Sequence, residues 1–425
     1  MNGRTASLIV LILALPFARL LVGCSDKVSA NTAVVSPASS AEVPMVRVLL
    51  QSDVPTVTIR AGGPLIASRP DGTEDQGPVR LKLPDAPIVV TREGAGWRIG
   101  DLRLSGDVLV LQPERDEPIG VGDASNEGLY RGNVRLVPQA GGRFAVVNDI
   151  DVERYLMGVL PKEILPEWSE AAHRAQAVVA RTYALYEVKT AGQRRSYFDV
   201  YDDTKSQVYG GALAETPKAR RAVRETTGQV VAHETPVGLR IFKAYFHSTS
   251  GGVTLGVDDA FNQPPVTALS AQTLGDAGRL SGRFEWDPVL VSKEELTRRM
   301  TAWGKANEHP IRSMRRLHEL NIISRNAHGR PNAFEAIDTV GNRYALSAEE
   351  ARWSVNADRG DATPIYSGWF TPINNEKTIV FAEGRGWGHG VGMCQWSAEG
   401  FAKEGMNYRQ IVARSYPETR LVRAY

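Results

Sequence analysis

From Val46 to about Val147 the apolar residues come in short alternating runs, VRVLL, TVTIR, PIVVTRE, WRIGDLRL, DVLVLQ, YRGNVRLVP and RFAVVN, cut by Gly and Pro. Alternation in runs of this length predicts strands packed as a small sandwich or barrel. The pattern changes at Asp151, an N-cap residue ahead of VERYLMGVL, which predicts a short helix to about Leu160. Between Glu167 and Lys189, the residues Ala172, Ala175, Val179, Thr182 and Tyr186 recur at three- and four-residue spacing, the apolar face of a long helix that Gly192 stops. TPKARRAVRETTG, closed by Gly228, predicts another helix, followed by strands at QVVAH and RIFKAYFHST. Further on come a helical stretch near Lys293 to Trp303, strands around LHELNIISRN and AFEAIDTV, the strand IVFAE, a Gly-rich turn, a helix beginning near Met393 and a final helix after Asn407. Strands interleaved with helices without regular βαβ alternation give an α+β fold, with a β-rich domain over 46–148 and a mixed domain over 149–425 that contains a looser insertion at about 262–375.

Ahead of the first strand, a short head with Arg4, an uncharged run from Ala6 to Ala18 and then Leu21-Val22-Gly23-Cys24 read as an export signal over 1–23. The run is too short for a stable membrane span. Its last four residues are similar to a bacterial lipobox, which makes Cys24 the lipidated N-terminus of an envelope protein held at a membrane and facing the periplasm or the cell wall. Plain secretion with cleavage after Val28-Ser29-Ala30 is the alternative. Residues 24–45, small and polar, read as a flexible tether.

Composition narrows the function classes. With 42% hydrophobic and 23% charged residues the chain is an ordinary globular one. Its 50 basic and 48 acidic residues become 48 and 48 once Arg4 and Arg19 leave with the signal, so bulk charge gives no hold on nucleic acid. Cys24 and Cys394 are the two cysteines, so no disulfide framework is expected.

Three blocks carry a family resemblance. They are VNDIDVERYLMGVLPKEILPEW running into AAHRAQAVVARTYAL, then DDTKSQVYGG with AYFHSTSGG, then GRGWGHGVGMCQWSAEGFAKEGMNYRQIVARSYPETRL. In this order they resemble the SpoIID/LytB family, named for stage II sporulation protein D. The resemblance implies a peptidoglycan lytic transglycosylase with one catalytic Glu, in the P-x-E motif, which falls on Glu163. A second family role, stimulation of a separate cell-wall amidase, and a third, glycan binding without cleavage, remain as alternatives. The implied partners are peptidoglycan glycan strands and, in the second role, an amidase.

One carboxyl suffices for such a reaction when the sugar's own 6-hydroxyl replaces water, because the same group donates a proton and later accepts one. The acid has to start protonated, which needs apolar surroundings; Ile164, Leu165, Pro166 and Trp168 supply them locally. Taken without the resemblance, Glu163 reads more readily as a negative charge that caps the next helix. Arg181 matches the family's Arg in A-R-T, and the resemblance implies that it contacts substrate or helps to place Glu163, without pairing tightly to it; an exposed Arg on the helix edge is the other reading. Gln207 and Tyr209, with His247, Ser248 and Ser250 at the end of an apolar strand, are expected along a sugar groove, or in a structural network. His389 and Gln395 belong to the Gly-rich block, where Trp387 and Trp396 offer rings for stacking on sugars. A strand, a Gly cluster and a helix near 380–395 lack the second strand with its acid that a dinucleotide site needs. One retained Cys with scattered His is a poor ligand set, so neither a metal nor a cofactor is expected.

Overall fold

A computed structural model describes residues 33–34, 42–70, 77–82, 87–122 and 128–425. The export signal, Cys24 and most of the 24–45 tether lie outside the described residues.

The N-terminal region is a sandwich of two sheets. One has seven strands, in the order Val200–Tyr201, Met45–Val54, Phe144–Asp151, Asn133–Pro138, Leu109–Pro113, Leu65–Ser68 and Val79–Leu81. The other has six, in the order Gly128–Tyr130, Ile119–Val121, Thr56–Ala61, Ile88–Glu93, Gly96–Ile99 and Leu102–Ser105. Alternating residues of both face inward onto Val57, Ile59, Trp97, Leu111, Leu136 and Phe144. Trp97 meets Phe144 edge-on at 5.2 Å, and its indole N–H reaches the Asp107 carbonyl at 2.9 Å.

Phe144–Asp151 is buried along nearly its whole length, because both of its faces are covered. Phe144 and Val146 enter the sandwich core, while Ala145 and Val147 pack on Leu49 and the rings of Tyr197, Phe198 and Tyr201. The mixed domain thus lends the seven-stranded sheet an edge: Val200–Tyr201 pairs in parallel with Val48–Leu49.

The same strand leads straight into helix α1, Val152–Glu163, capped by the Asp151 carboxylate accepting the Arg154 N–H at 2.9 Å. Helix α2, Glu170–Gln193, follows and is buried almost all round. Its run of Ala side chains lets α1, α3 (Pro217–Glu225) and the strand Gln229–Thr235 approach closely. That strand anchors a four-stranded sheet in the order Ala33–Val34, Gly238–Ile241, Gln229–Thr235 and Thr419–Arg423.

Residues 257–375 add α4 (Val257–Phe261), α5 (Lys293–Ala306), a three-stranded meander over Leu317–Arg325, Pro331–Asp338 and Arg343–Ser347, and α6 (Ala348–Asn356). Their Leu320, Phe334 and Leu346 lie in one continuous core with Val178 and Val179 of α2 and with Met393 and Ala398. Helices α7 (Gln395–Lys403) and α8 (Tyr408–Ser415) complete that core. The sequence pattern predicts that the helix after Asn407 is the last element, but Pro417 and a left-handed Glu418 turn the chain into the strand Thr419–Arg423, antiparallel to Gln229–His233. TRLVR is too short and too rich in Arg for its period to be legible.

Gly158 of α1 packs closely on the segment after Tyr201. A Cβ there would lie 2.7 Å from the Tyr209 ring and 2.8 Å from the Gly211 carbonyl. Gly158→Ala is expected to destabilise the protein by about 1–3 kcal/mol despite the better helix propensity of Ala. Gly192→Ala, where the added carbon meets nothing within 4 Å, should leave the urea unfolding midpoint unchanged or raise it.

Candidate functional site

Glu163 is the last residue of α1. Pro161 removes one helical N–H two residues earlier, and Ile164 leaves the helix in an extended conformation, its N–H still held by the Leu160 carbonyl at 3.0 Å. The side chain therefore projects from a helix C-terminus, the end where the helix dipole disfavours an anion. It caps no following helix, since α2 begins only at Glu170. Ile164 and Trp168 are buried beside it, and Trp168 meets Trp396 of α7 edge-on at 4.8 Å. Part of Glu163 still reaches solvent, but protein surrounds its carboxyl closely enough that burial pushes the pKa up to about 7.

Two groups oppose that shift without cancelling it. The Val208 N–H donates to Oε1 at 2.8 Å. The Gln395 amide sits close enough to pull the pKa down, yet its buried Nε2 has no hydrogen-bond partner among the described residues. The amide lies next to the carboxyl without bonding to it. A buried donor without a partner is costly, so Gln395 faces Glu163 with a free N–H.

Val208 is aimed by its neighbours. The Gln207 side chain is fully buried, accepting from the Tyr155 hydroxyl at 3.3 Å and donating to the Ala180 carbonyl at 3.4 Å. Tyr209 is buried against Tyr130 and Tyr155, and its hydroxyl donates to Asn148 Oδ1 at 3.0 Å. Neither lies open on a groove: the two pin the loop that carries the Val208 N–H, which corrects the expectation that they contact sugar.

Arg181 is likewise elsewhere. It is fully buried, its guanidinium clamped on Glu153 at 3.0 and 2.6 Å, with a further bond to the Gln229 carbonyl at 3.1 Å. Glu153 also accepts from the Gly228 N–H at 2.9 Å and from the hydroxyl of Tyr425 at 2.6 Å. A side chain with no exposed surface cannot touch a ligand arriving from solvent, so Arg181 joins α1, α2, the turn before Gln229 and the chain's last residue instead.

The remaining predicted residues form a layer behind Gln395. Phe246–His247 pairs in parallel with Met393–Cys394, which puts His247 next to the start of α7. Buried His247 bonds the Val391 carbonyl through Nδ1 at 3.1 Å, and its Nε2 has no partner among the described residues. His389 lies with its ring 5.4 Å from that of His247, accepting the Val391 N–H at 3.0 Å. Burial holds His389 down at about 3 and His247 well below the usual imidazole range, helped by nearby cations, so both rings are neutral at pH 7. Partly exposed Ser248 pairs its hydroxyl with Thr249 at 3.2 Å, while its carbonyl accepts the Trp396 N–H at 3.1 Å. Ser250 is buried, and its N–H meets the Cys394 thiol at 3.2 Å. Cys394 caps α7, its sulfur accepting from the Ser397 N–H at 3.4 Å, a task a Ser hydroxyl performs equally. Trp387 is half-buried against Tyr366.

Two residues had no signal of their own in the sequence. Asp202, in the DDTKSQVYGG block, lines a cavity together with Lys162 and Tyr130, and burial pushes its carboxyl up to about 7. Arg330 comes from the meander between residues 317 and 347. It is fully buried and donates to the Ser250 and Val253 carbonyls at 3.2 and 2.7 Å. Gly390 is what admits it, because a Cβ there would collide with the guanidinium and its φ of +82° is unfavourable for other residues. No group of three or more His, Cys, Asp or Glu among the described residues is placed to hold a metal ion.

A family model described as stage II sporulation protein, SpoIID, matches residues 140–233, the segment from the last sandwich strand through α1, α2 and the Glu163 loop. The match supports membership of the SpoIID family. It is 26% identical to stage II sporulation protein D of Bacillus subtilis, over 65% of this chain and 76% of that one. Against an amidase enhancer of the same organism it is 24% identical over 63% of this chain, but spans only 40% of that protein. An uncharacterised protein of Brachyspira hyodysenteriae matches at 24% over 79% of this chain and 82% of its own length.

Arg181→Ala should destabilise the protein by about 3–5 kcal/mol, because it leaves Glu153 buried without its partner. Urea unfolding measures this, and activity should fall only as far as the folded fraction does. Full stability with lost activity would return the guanidinium to the substrate.

Proposed function

We propose that this SpoIID-family protein is a peptidoglycan lytic transglycosylase with Glu163 as its single acid/base. The observation that carries the reading is a solvent-reaching carboxyl held at about 7 by burial, with a backbone N–H on one oxygen. Protonated Glu163 gives its proton to the glycosidic oxygen as the C1–O bond breaks. The resulting carboxylate, which the Val208 N–H and the Gln395 amide are positioned to stabilise, then takes the proton of the muramyl 6-hydroxyl while that oxygen bonds to C1, closing a 1,6-anhydro ring. The donor and acceptor roles alternate on one group, so no water is consumed. The match to a protein named an amidase enhancer supports a second reading, in which the same surface binds glycan and stimulates an amidase without cleaving.

Digestion of purified glycan strands decides between them. Wild type should release fragments ending in 1,6-anhydro sugars, with kcat/KM falling as pH rises above about 7 and Glu163 ionises. Glu163→Gln should lose at least ~10²-fold in rate. Absence of cleavage by wild type, on strands with and without stem peptides, would favour the enhancer. The same variant has a stability signature. Between the ordinary 4.5 and about 7, the unfolded chain releases a proton that the folded chain keeps, so the stability of wild type falls as pH rises through that window and stays lower above it. Gln does not titrate; at pH 8 the variant should be the more stable by on the order of 2 kcal/mol, a gap that closes below about pH 4.5.

The same reading puts the protein in the cell envelope, exported and held by lipid on Cys24. Among the described residues no helix is long and apolar enough to cross a membrane. Cys24→Ser is expected to move the protein from the membrane fraction to the soluble one; unchanged fractionation would remove the anchor.

A further inference from the structure

Between Glu163 and helix α2 the chain runs as a strap over residues 164–169, with a turn in which the Trp168 N–H donates to the Leu165 carbonyl at 3.1 Å. Its apolar side chains pack inward: Ile164 and Trp168 are buried with Ala172, against Leu165, Trp396 and Ala402. Its far end is held by α7, where the buried carboxylate of Glu399 accepts the Ser169 N–H at 2.8 Å. A second hold comes from α3: the Lys218 ammonium donates to the Pro166 carbonyl at 2.7 Å and to the Trp168 carbonyl at 2.8 Å.

We propose that Lys218 is a positioning residue for Glu163, keeping the strap closed so that solvent stays off one side of the acid. The inference rests on the cleavage reading above and adds to it a residue that acts through the strap. Lys218 is the second residue of α3, after the Thr216 cap and Pro217. A positive charge in the first turn of a helix works against the helix dipole, so α3 itself gains nothing from this side chain. Its ammonium is spent on two carbonyls of another segment, in charge-assisted bonds about twice as strong as neutral ones. Trp168 is thereby held twice, by its carbonyl on Lys218 and by its ring on Trp396 at 4.8 Å.

Charge alone does not connect Lys218 to the acid. The ionisable groups around the strap are its own Glu167, then Glu170 of α2 with its partners Arg174 and Arg221, His173, Lys218, and the pair Glu399 and Lys403 of α7. Lys162 and Asp202 line a cavity beside the end of α1. None of these shifts Glu163, whose carboxyl answers first to burial and then to the Val208 N–H and the Gln395 amide. Tyr155, which does feel the Glu163 charge, is fully buried and held well above the usual phenol range, so it stays neutral while Glu163 titrates. Burial is therefore what Lys218 can alter, and the strap is its route.

The test titrates the Glu163 carboxyl itself. In protein labelled with δ-13C glutamate, the carboxyl resonance missing from Glu163→Gln belongs to Glu163. Wild type should titrate at about 7. Lys218→Met keeps the stem and removes the donors; its midpoint is expected about one pH unit lower, as water reaches the carboxyl. The sign separates two causes, because loss of a cation that acted through its charge would raise a carboxyl's pKa, whereas an opened strap lowers it. Glycan digestion reads the same shift. In Lys218→Met, kcat/KM should drop ~5-fold at pH 7, where less of the acid is protonated, and stay near wild type at pH 5, where Glu163 is protonated in both. Lys218→Gln keeps N–H donors without the charge; it should move the midpoint in the same direction by less, and it takes the place of Lys218→Met should that variant not fold. An unchanged or raised midpoint, or an equal loss of activity at pH 5 and pH 7, overturns the role of Lys218. Digestion by wild type keeps the two readings apart. Anhydro products with no shift in the variant remove Lys218 alone, and a shift without products from wild type leaves Lys218 holding the strap beside a carboxyl that does not cut glycan.

Discussion

The structure turns on one carboxyl that protein surrounds but does not neutralise. Moving a carboxylate out of water without a cation to pair with disfavours its charged form. Glu163 receives a single backbone N–H and a nearby amide, enough to fix its direction and too little to keep it ionised. Every element around it serves that compromise. Pro161 and Ile164 end α1 at this residue, and Trp168 and Trp396 exclude water from one side. Gln207 and Tyr209 disappear into the core so that the residue between them can point its N–H outward.

Keeping Arg181 away from the acid is part of the same design. A guanidinium within reach would drop the pKa of Glu163 into the ordinary range or below it. Glu153 takes up both the charge and the directionality of Arg181, and three other residues, Gly228, Gln229 and Tyr425, meet at this pair. A buried ion pair of this kind is a weak source of net stability. Its value here is geometric, since it sets α1 against α2 and thereby sets where α1 ends.

Much of the architecture was legible in the sequence, because its periods are long or its punctuation strong. The sandwich strands, the ends of α2 near Gly192 and the capping of α1 by Asp151 all follow from alternation, spacing and cap chemistry. The terminal strand Thr419–Arg423 did not, because its partner Gln229–Thr235 lies almost two hundred positions away and five residues carry no period. The site was legible in types and illegible in depth. Motif spacing singled out Glu163, Gln395, Gln207 and Arg181 alike, but nothing in a one-dimensional pattern separates a polar side chain that reaches solvent from one that spends all its hydrogen bonds inside. Burial made that distinction, and it moved Gln207, Tyr209 and Arg181 from the substrate to the support.

Residues 262–375 give the opposite lesson. Read as a loose insertion, they contribute no motif, yet their side chains share the core of α2 and α7. From them comes Arg330, whose guanidinium passes under Gly390 to bond the carbonyls of Ser250 and Val253. Two segments, AYFHSTSGG and GRGWGHGVGMCQW, thus meet at a cation with no carboxylate among the described residues bonded to it, and burial lowers its pKa to about 10. Still charged at neutral pH, it helps keep His247 and His389 unprotonated. The positive charge of this layer is therefore carried on a guanidinium fixed by backbone carbonyls, while the imidazoles pack as neutral rings behind Gln395. Around a carboxyl whose pKa lies near 7, that arrangement removes the two groups most able to titrate alongside it.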